Sequence, residues 1–353
     1  MKKLVAFCCA TLVAGALFAG GQAEGTKSEA KPTQNIAICL STGGLGDKNF
    51  NDMAYAGLTQ AQKEFGIHFD YFEPTSASDF EPALRQFAER GDYALIIGIG
   101  NDEVDAMKNV AIDFPDQKFS LIDASLDGFT NIRSISTKWQ EQTFLCGVYA
   151  GLGTLSNMPF ANKDNVIGVV LGMDFPNLRE GVVGFKAGAR YVNPDVTVLE
   201  AVIGSFNDPT KGKEIAVSMY NRGADFIQPI AGASGLGVFN AAKENKFYAF
   251  GVGGNQNAIE PSVIAATSIR NVNEMVYNEV RDCLNGSWSA GSYLNGMKEG
   301  AVGYSNEGSE VAIPEDIKQA IDVIRQRIVS GELSVTISAD ELDGWVSKNQ
   351  YRK

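Results

Sequence analysis

Residues 94–123 read ALIIGIGNDEVDAMKNVAIDFPDQKFSLID. An apolar run at 94–99 ends on Gly98-Ile99-Gly100, and a helical pattern fills 104–113. Asp113-Phe114-Pro115-Asp116 stops that helix before a second apolar run at 119–122. Apolar runs without polar alternation are strands buried on both faces, and a helix between two of them is a parallel crossover. The same rhythm continues outward in both directions. Candidate strands lie at 36–40, 68–72 and 132–136, and a second set lies at 166–171, 196–202, 226–230, 248–252 and 263–266. Candidate helices at 51–65, 81–90, 185–191, 211–222 and 238–245 separate them. Asn193-Pro194-Asp195 ends a helix and launches a strand as 113–116 does. The expected fold class is α/β, with two lobes that are each a parallel sheet sandwiched by helices. A long helical pattern at 139–155 opens the second lobe, and later helices are expected at 273–284 and 314–329.

The length of 353 residues suits about two domains, and 44% hydrophobic with 20% charged residues is ordinary for a globular chain. A net charge of −12 repels phosphate backbones, so no nucleic-acid partner is expected. The single histidine, His68, begins a strand and reads as structural. Metal, general-base and triad chemistry lean on histidine, so no metal, no cofactor and no enzyme activity are expected.

Residues 1–23 read as an export signal, with Lys2 and Lys3 before an apolar stretch at 4–19 and small residues up to Ala23. Residues 24–34 (EGTKSEAKPTQ) are polar and aperiodic, a tether. Cys8 and Cys9 sit inside the apolar stretch and read either as small apolar signal residues or as an atypical lipid-attachment site. Cys39, Cys146 and Cys283 match no metal or disulfide framework and read as buried thiols. The expected location is the periplasm or cell envelope, with membrane association through the signal or a lipid.

In parallel sheets the ligand sits beyond the carboxyl ends of the strands. The loops there, 41–49, 98–103, 123–128, 172–178, 205–211, 231–237 and 253–256, are rich in Gly, Ser, Asn and Asp. Phe50, Phe175 and Phe206 lie close by, which suggests a neutral, hydrogen-bonding cleft with aromatic walls. Neither G-x-G-x-x-G nor G-x-x-x-x-G-K-[ST] is present. Gly43-Gly44-Leu45-Gly46 and 232–237 could offer backbone N–H groups to a ligand or simply form tight turns. Phe50 and Phe206 read as core or as ligand walls. Asp123 either caps the next helix or points into the cleft.

The segments Asp47-Lys48-Asn49-Phe50-Asn51, Gly98-Ile99-Gly100 and Asp113-Phe114-Pro115-Asp116 resemble the basic membrane protein family. So do Glu141-Gln142-Thr143-Phe144-Leu145-Cys146-Gly147, Gly184-Phe185-Lys186-Ala187-Gly188, Ser205-Phe206-Asn207-Asp208-Pro209 and Ala231-Gly232-Ala233-Ser234-Gly235. The resemblance covers nearly all of 35–330. It implies a two-lobed type I periplasmic-binding-protein fold hinged by three crossings, near 136–139, 254–256 and 291–294. It also implies a monomeric substrate-binding protein that serves an ABC permease and ATPase. Well-known members hold a purine between two phenylalanines and grip the ribose with carboxylates and a lysine. On that pattern Phe50 and Phe206 stack the ligand, and Asp123 is a polar contact. Ser41, Asn49, Phe175, Gly232, Gly253, Asn255, Gln256 and Arg270 complete the candidate site. Ser41, Gly253 and Asn255 stand where the family has acids, and Arg270 where it has lysine. Loss of charge and of volume favours a larger flat ligand with a polyol chain, as in riboflavin-binding relatives, over a purine nucleoside. Lobe 1 is expected to comprise 35–137 plus 256–291, and lobe 2 to comprise 138–255 plus 292–353.

Overall fold

A computed structural model describes residues 34–336 and 338–351. The leader expected at 1–23, with Cys8 and Cys9, and the tether up to residue 33 lie outside the described residues. The first sheet collects β1 (Asn35–Cys39), β2 (His68–Phe72), β3 (Tyr93–Ile99), β4 (Phe119–Ile122) and β5 (Ile132–Thr137). The second collects β6 (Val166–Leu171), β7 (Thr197–Val202), β8 (Ala224–Ile230), β9 (Tyr248–Gly253) and β10 (Ile264–Arg270). In spatial order the strands run β2-β1-β3-β4-β5 and β7-β6-β8-β9-β10, so the two halves repeat one topology. Each sheet gains a sixth strand, β11 (Gly291–Asn295) beside β5 and β12 (Val302–Ser305) beside β10. Every pair is parallel except β10 with β12.

Strand side chains alternate between two buried faces. Ile36 and Ile38 pack with Leu58 of α1 (Phe50–Phe65) and Val276 of α8 (Val272–Asn285). Ala37 and Cys39 face Leu84 of α2 (Phe80–Arg90) and Met107 of α3 (Val104–Asp113). In the second sheet Ile167, Val169 and Leu171 join α4 (Trp139–Gly153) and α5 (Pro176–Val192). Val170 faces α6 (Pro209–Tyr220) and α7 (Gly235–Asn245) instead. The remaining helices, α9 (Glu315–Val329) and α10 (Leu342–Asn349), pack on the α4 side.

Almost all of α4 is buried, and glycines let α5 lie against it. A Cβ on Gly147 would overlap the Phe185 carbonyl oxygen, one on Gly188 that of Phe144, and one on Gly184 that of Gln140. The 141–147 and 184–188 motifs are therefore helix-packing motifs. Cys39 and Cys146 are buried free thiols, whereas Cys283 is half-buried.

Two expected boundaries move. β10 pairs with β9, so 256–270 belongs with the second sheet and not with lobe 1. The strand read at 263–266 runs on to Arg270 through Thr267 and Ser268, whose hydroxyls are buried and hydrogen-bonded, Thr267 to Asn257 at 2.8 Å and Ser268 to the Gly251 carbonyl at 3.1 Å. β11 pairs with β5, so the crossing expected at 291–294 is a strand of the first sheet. The chain crosses between sheets after Thr137, after Arg270 and after Asn295. The crossing expected at 254–256 is thus displaced to Arg270.

Candidate functional site

Strand order reverses beside β1 and β3 in one sheet and beside β6 and β8 in the other. Loops leaving the carboxyl ends of strands at such reversals diverge and open a crevice. Here the two crevices face one another across a cavity with about 600 Å³ of atom-free space. Its lining includes Ser41 and Gly43 after β1, Asn101 and Asp102 after β3, Phe175 after β6, and Ala231 and Gly232 after β8.

The loop after β1 is built by two carboxylates. Buried Asp47 accepts from the backbone N–H of Asn49 (2.9 Å), Asn51 (3.0 Å) and Asp52 (3.3 Å), and from Asn51 Nδ2 (3.1 Å). It thereby satisfies the free N–H groups at the start of α1 and lies at the positive end of its dipole. Burial raises its pKa, opposed by those backbone donors. Asp52 accepts from Gly46 N (2.7 Å) and Lys48 N (3.0 Å). These acids hold the turn that presents Asn49 and Phe50.

On the opposite wall Asp208 caps α6 by accepting from Lys211 N at 2.9 Å, with Pro209 in the first turn. Ser234 donates to the Ser205 carbonyl (2.8 Å), while its backbone N–H donates to the Phe206 carbonyl (2.9 Å). Gly172 and Gly232 make room for the Phe206 ring, since a Cβ on Gly172 would lie 2.5 Å from its Cδ1. The ring leans on Phe175 with centroids 6.2 Å apart at 35°.

The charged floor lies where the chain crosses between the lobes. Asp123 leaves β4 with φ +63°, a left-handed conformation uncommon outside glycine, and its carboxylate meets Arg270 at the end of β10. Both side chains are 5% exposed, so this is a buried ion pair that joins the lobes. Thr137 also donates to Asp123, at 3.3 Å. Burial raises the Asp123 carboxyl pKa against the pull of Arg270 and Thr137. The guanidinium lies 3.9 Å from the Trp139 ring centroid and 5.0 Å from that of Phe50. A guanidinium does not lose its proton in a protein, so its charge is held by one carboxylate and two aromatic faces.

Of the residues singled out in the sequence, Ser41, Asn49, Phe50, Asp123, Phe175, Phe206, Gly232 and Arg270 line this one cavity. Gly253, Asn255 and Gln256 do not. Gly253 has φ +86°, and a Cβ there would overlap Asn49 Oδ1, so the volume expected to be free is filled by the Asn49 carboxamide. Asn255 donates to the Glu307 carbonyl (3.0 Å). Gln256 braces the framework, accepting from Val252 N (2.9 Å) and donating to the Lys48 carbonyl (3.2 Å).

Sequence reasoning missed Trp139, which carried only a helical signal, and left Asp102 out of the candidate site although its loop, 98–103, was placed at the cleft. The Asp102 carboxylate accepts from Thr42 Oγ1 at 3.2 Å and Ser41 Oγ at 3.5 Å, and burial raises its pKa. It stands beside Ser41, the position read as having lost an acid. Three buried polar atoms of the lining, Asn49 Oδ1, Trp139 Nε1 and Arg270 Nε, have no hydrogen-bond partner.

Two facing α/β lobes around a cleft of aromatic and hydrogen-bonding groups define a solute receptor, and the chain belongs to the Bmp family of PnrA-like ABC transporter substrate-binding proteins, whose model matches residues 34–338. An uncharacterized lipoprotein of Pyrococcus abyssi is 34% identical over 305 residues, 83% of this chain and 73% of the relative. The ABC transporter nucleoside-binding protein BmpA of Lactococcus lactis is 29% identical over 361 residues, 95% of this chain and 99% of that one. Among solved structures, an ABC transporter solute-binding protein from Aeropyrum pernix superposes with a TM-score of 0.79 at 26% identity, covering 90% of this chain and 97% of that one. The Lactococcus and Aeropyrum relatives are named as binding proteins of ABC transporters.

Proposed function

We propose that this chain is an exported, non-catalytic receptor that delivers a purine nucleoside to an ABC permease and its ATPase. The observation that carries the reading is the make-up of the cavity. Aromatic side chains on both walls suit a flat heteroaromatic ring. Asp102 and Asp123 suit hydroxyl and N–H donors, and the one lining cation is neutralised within the protein. A nucleoside has a flat base and neutral hydroxyls. A nucleotide would bring a phosphate toward three lining carboxylates and a guanidinium already engaged. The name of the Lactococcus relative agrees with the nucleoside reading.

The sequence favours riboflavin only on the premise that acids and volume are lost. That premise weakens, because Asn49 fills the space at Gly253 and Asp102 supplies a carboxylate beside Ser41. Ligand bridging both walls would close the lobes about the three crossings. Calorimetry with guanosine, inosine, adenosine, riboflavin and a nucleoside monophosphate tests the reading. The expected order places nucleosides first, with the monophosphate and riboflavin at least about tenfold weaker, or 1.4 kcal/mol. Tighter binding of riboflavin, or saturation by none of the five, overturns it.

A further inference from the structure

We propose that the turn at Lys48–Asn49 of the first lobe and the turn at Gly253–Gln256 of the second form a catch that draws the lobes together, so that closing the cleft is favoured before any solute is held. The catch does not depend on which solute the receptor takes.

Each half is built inside its own lobe. In the first, Asp47 and Asp52 hold the turn by accepting from Asn49 N at 2.9 Å and Lys48 N at 3.0 Å. Lys48 takes φ +53° there, a left-handed conformation uncommon outside glycine. In the second, buried Gln256 accepts from Val252 N at 2.9 Å through Oε1, and its own backbone N–H donates to Thr267 Oγ1 at 3.1 Å. The free end of that side chain, Nε2, donates across the lobes to the Lys48 carbonyl at 3.2 Å, between residues 208 apart in the chain. Beside this bond two glycines form a seat. A Cβ on Gly253 would lie 1.8 Å from Asn49 Oδ1, and one on Gly254 would lie 2.8 Å from Met53 Sδ. The first lobe's Asn49 and Met53 therefore rest directly on bare backbone of the second.

Such a contact can part without harm to either lobe. Separating the turns would break the Lys48–Gln256 bond and leave the bonds that shape each turn in place. Both partners are already held, so making the bond immobilises little. One neutral hydrogen bond shifts an equilibrium by about two- to tenfold, enough to bias opening and closing and too little to lock them. The catch is also continuous with the cleft. Asn49 and Phe50 follow Lys48, Val252 precedes Gly253, and all three line the cavity, whereas Lys48, Gly253, Gly254 and Gln256 do not. A solute that bridges the walls therefore brings the two halves of the catch together. An engaged catch in turn presents both walls to the solute, and apparent affinity rises with the fraction of molecules so arranged.

Small-angle scattering and calorimetry on the full chain test the catch with two variants outside the cavity lining. Gln256→Glu keeps Oε1 for Val252 N and removes the N–H that reaches Lys48. Gly254→Val wedges the seat against Met53, and because Gly254 has no positive φ its side chain meets no left-handed strain. The second variant carries the test if the first fails to fold. Without added solute, both should show a larger radius of gyration than wild type. Guanosine, inosine and adenosine should each bind at least about threefold more weakly, and by one common factor, because the catch shifts closure and touches no solute. An unchanged radius, with affinities within about twofold of wild type in both folded variants, overturns the catch. Weakening that differs by more than about threefold among the three nucleosides also overturns it, since the substitutions would then act on contacts in the cleft. If wild type binds none of the three, the nucleoside reading falls and the radius alone decides the catch.

Discussion

Replacing Arg270 with methionine should expose how far one buried pair supports both lobes. Arg270→Met removes the cation paired with Asp123 and leaves a carboxylate at 5% exposure without that partner. At an effective dielectric of about 20 and about 4 Å between charge centres, the lost attraction is on the order of 4 kcal/mol. Breaking a buried pair from one side typically costs about 3–5 kcal/mol, which agrees. Stacking on Trp139 and Phe50 adds about 1 kcal/mol for each desolvated face. With an unfolding entropy of about 2.1 cal/mol/K per residue over about 300 residues, 4 kcal/mol lowers Tm by about 6 °C. The carboxyl, already raised by burial, rises further without Arg270, so the unpaired charge is relieved by protonation. The destabilisation should therefore shrink as pH falls. Urea unfolding at neutral and acid pH, on Arg270→Met, Asp123→Asn and the double variant, supplies the cycle. The double variant should be more stable than the sum of the singles by at least about 1.5 kcal/mol. Additive losses below 1 kcal/mol each, unchanged by pH, would falsify the claim that this pair ties the lobes together.

Removing either stacking ring should weaken nucleoside binding. Phe206→Ala and Phe50→Ala are each expected to cost about 2–4 kcal/mol by calorimetry, and unchanged affinity in both assigns those rings to the core. A second buried acid gives a pH signature of its own. Glu279 on α8 accepts from Ser120 Oγ at 2.5 Å and lies 3.3 Å from Arg133, and burial pushes its pKa from 4.5 to about 7. Because the folded value exceeds the unfolded one, its stabilising contribution is complete below pH 4.5 and is lost as pH rises through about 7. The change is on the order of 3 kcal/mol, and Glu279→Gln should flatten that part of the stability profile, as urea titrations across this window would reveal. Finally, Gly188→Ala should destabilise the second lobe by at least about 2 kcal/mol, because its methyl would overlap the Phe144 carbonyl; an unchanged denaturation midpoint argues against tight α4–α5 contact.

The α/β fold was legible because its signal is repeated and local. Val/Ile-rich runs such as 166–171 have no helical alternative at that length, and the stops at 113–116 and 193–195 fix the direction of travel. Polar ends of buried strands were not legible. The apolar run stops at Ala266, and the strand continues through Thr267 and Ser268 on partners, Asn257 and the Gly251 carbonyl, that lie elsewhere in the chain. The crossing expected at 254–256 sets this strand of the second set in lobe 1, and its pairing with β9 moves the boundary to Arg270. Likewise β11, GSYLN, is an exposed edge strand without an apolar run, and its only claim to be a strand is its pairing with β5.

The cavity lining was legible wherever a loop at a strand end carried an aromatic or a charge, and failed where a substitution was read for its own chemistry alone. Serine at 41 looked like a lost carboxylate, and glycine at 253 looked like free space. Space in a packed protein belongs to whichever neighbour can reach it. Asn49, projected by the turn that Asp47 holds together, already fills the position a Cβ on Gly253 would take. Asp102, sixty-one residues along the chain from Ser41, returns a carboxylate to the serine's side. Introducing an aspartate at 253 would therefore strain a backbone at φ +86° and displace Asn49, rather than restore a clasp. The carboxylate beside Ser41 comes from the neighbouring loop at the strand-order reversal, and only the fold brings those two loops together.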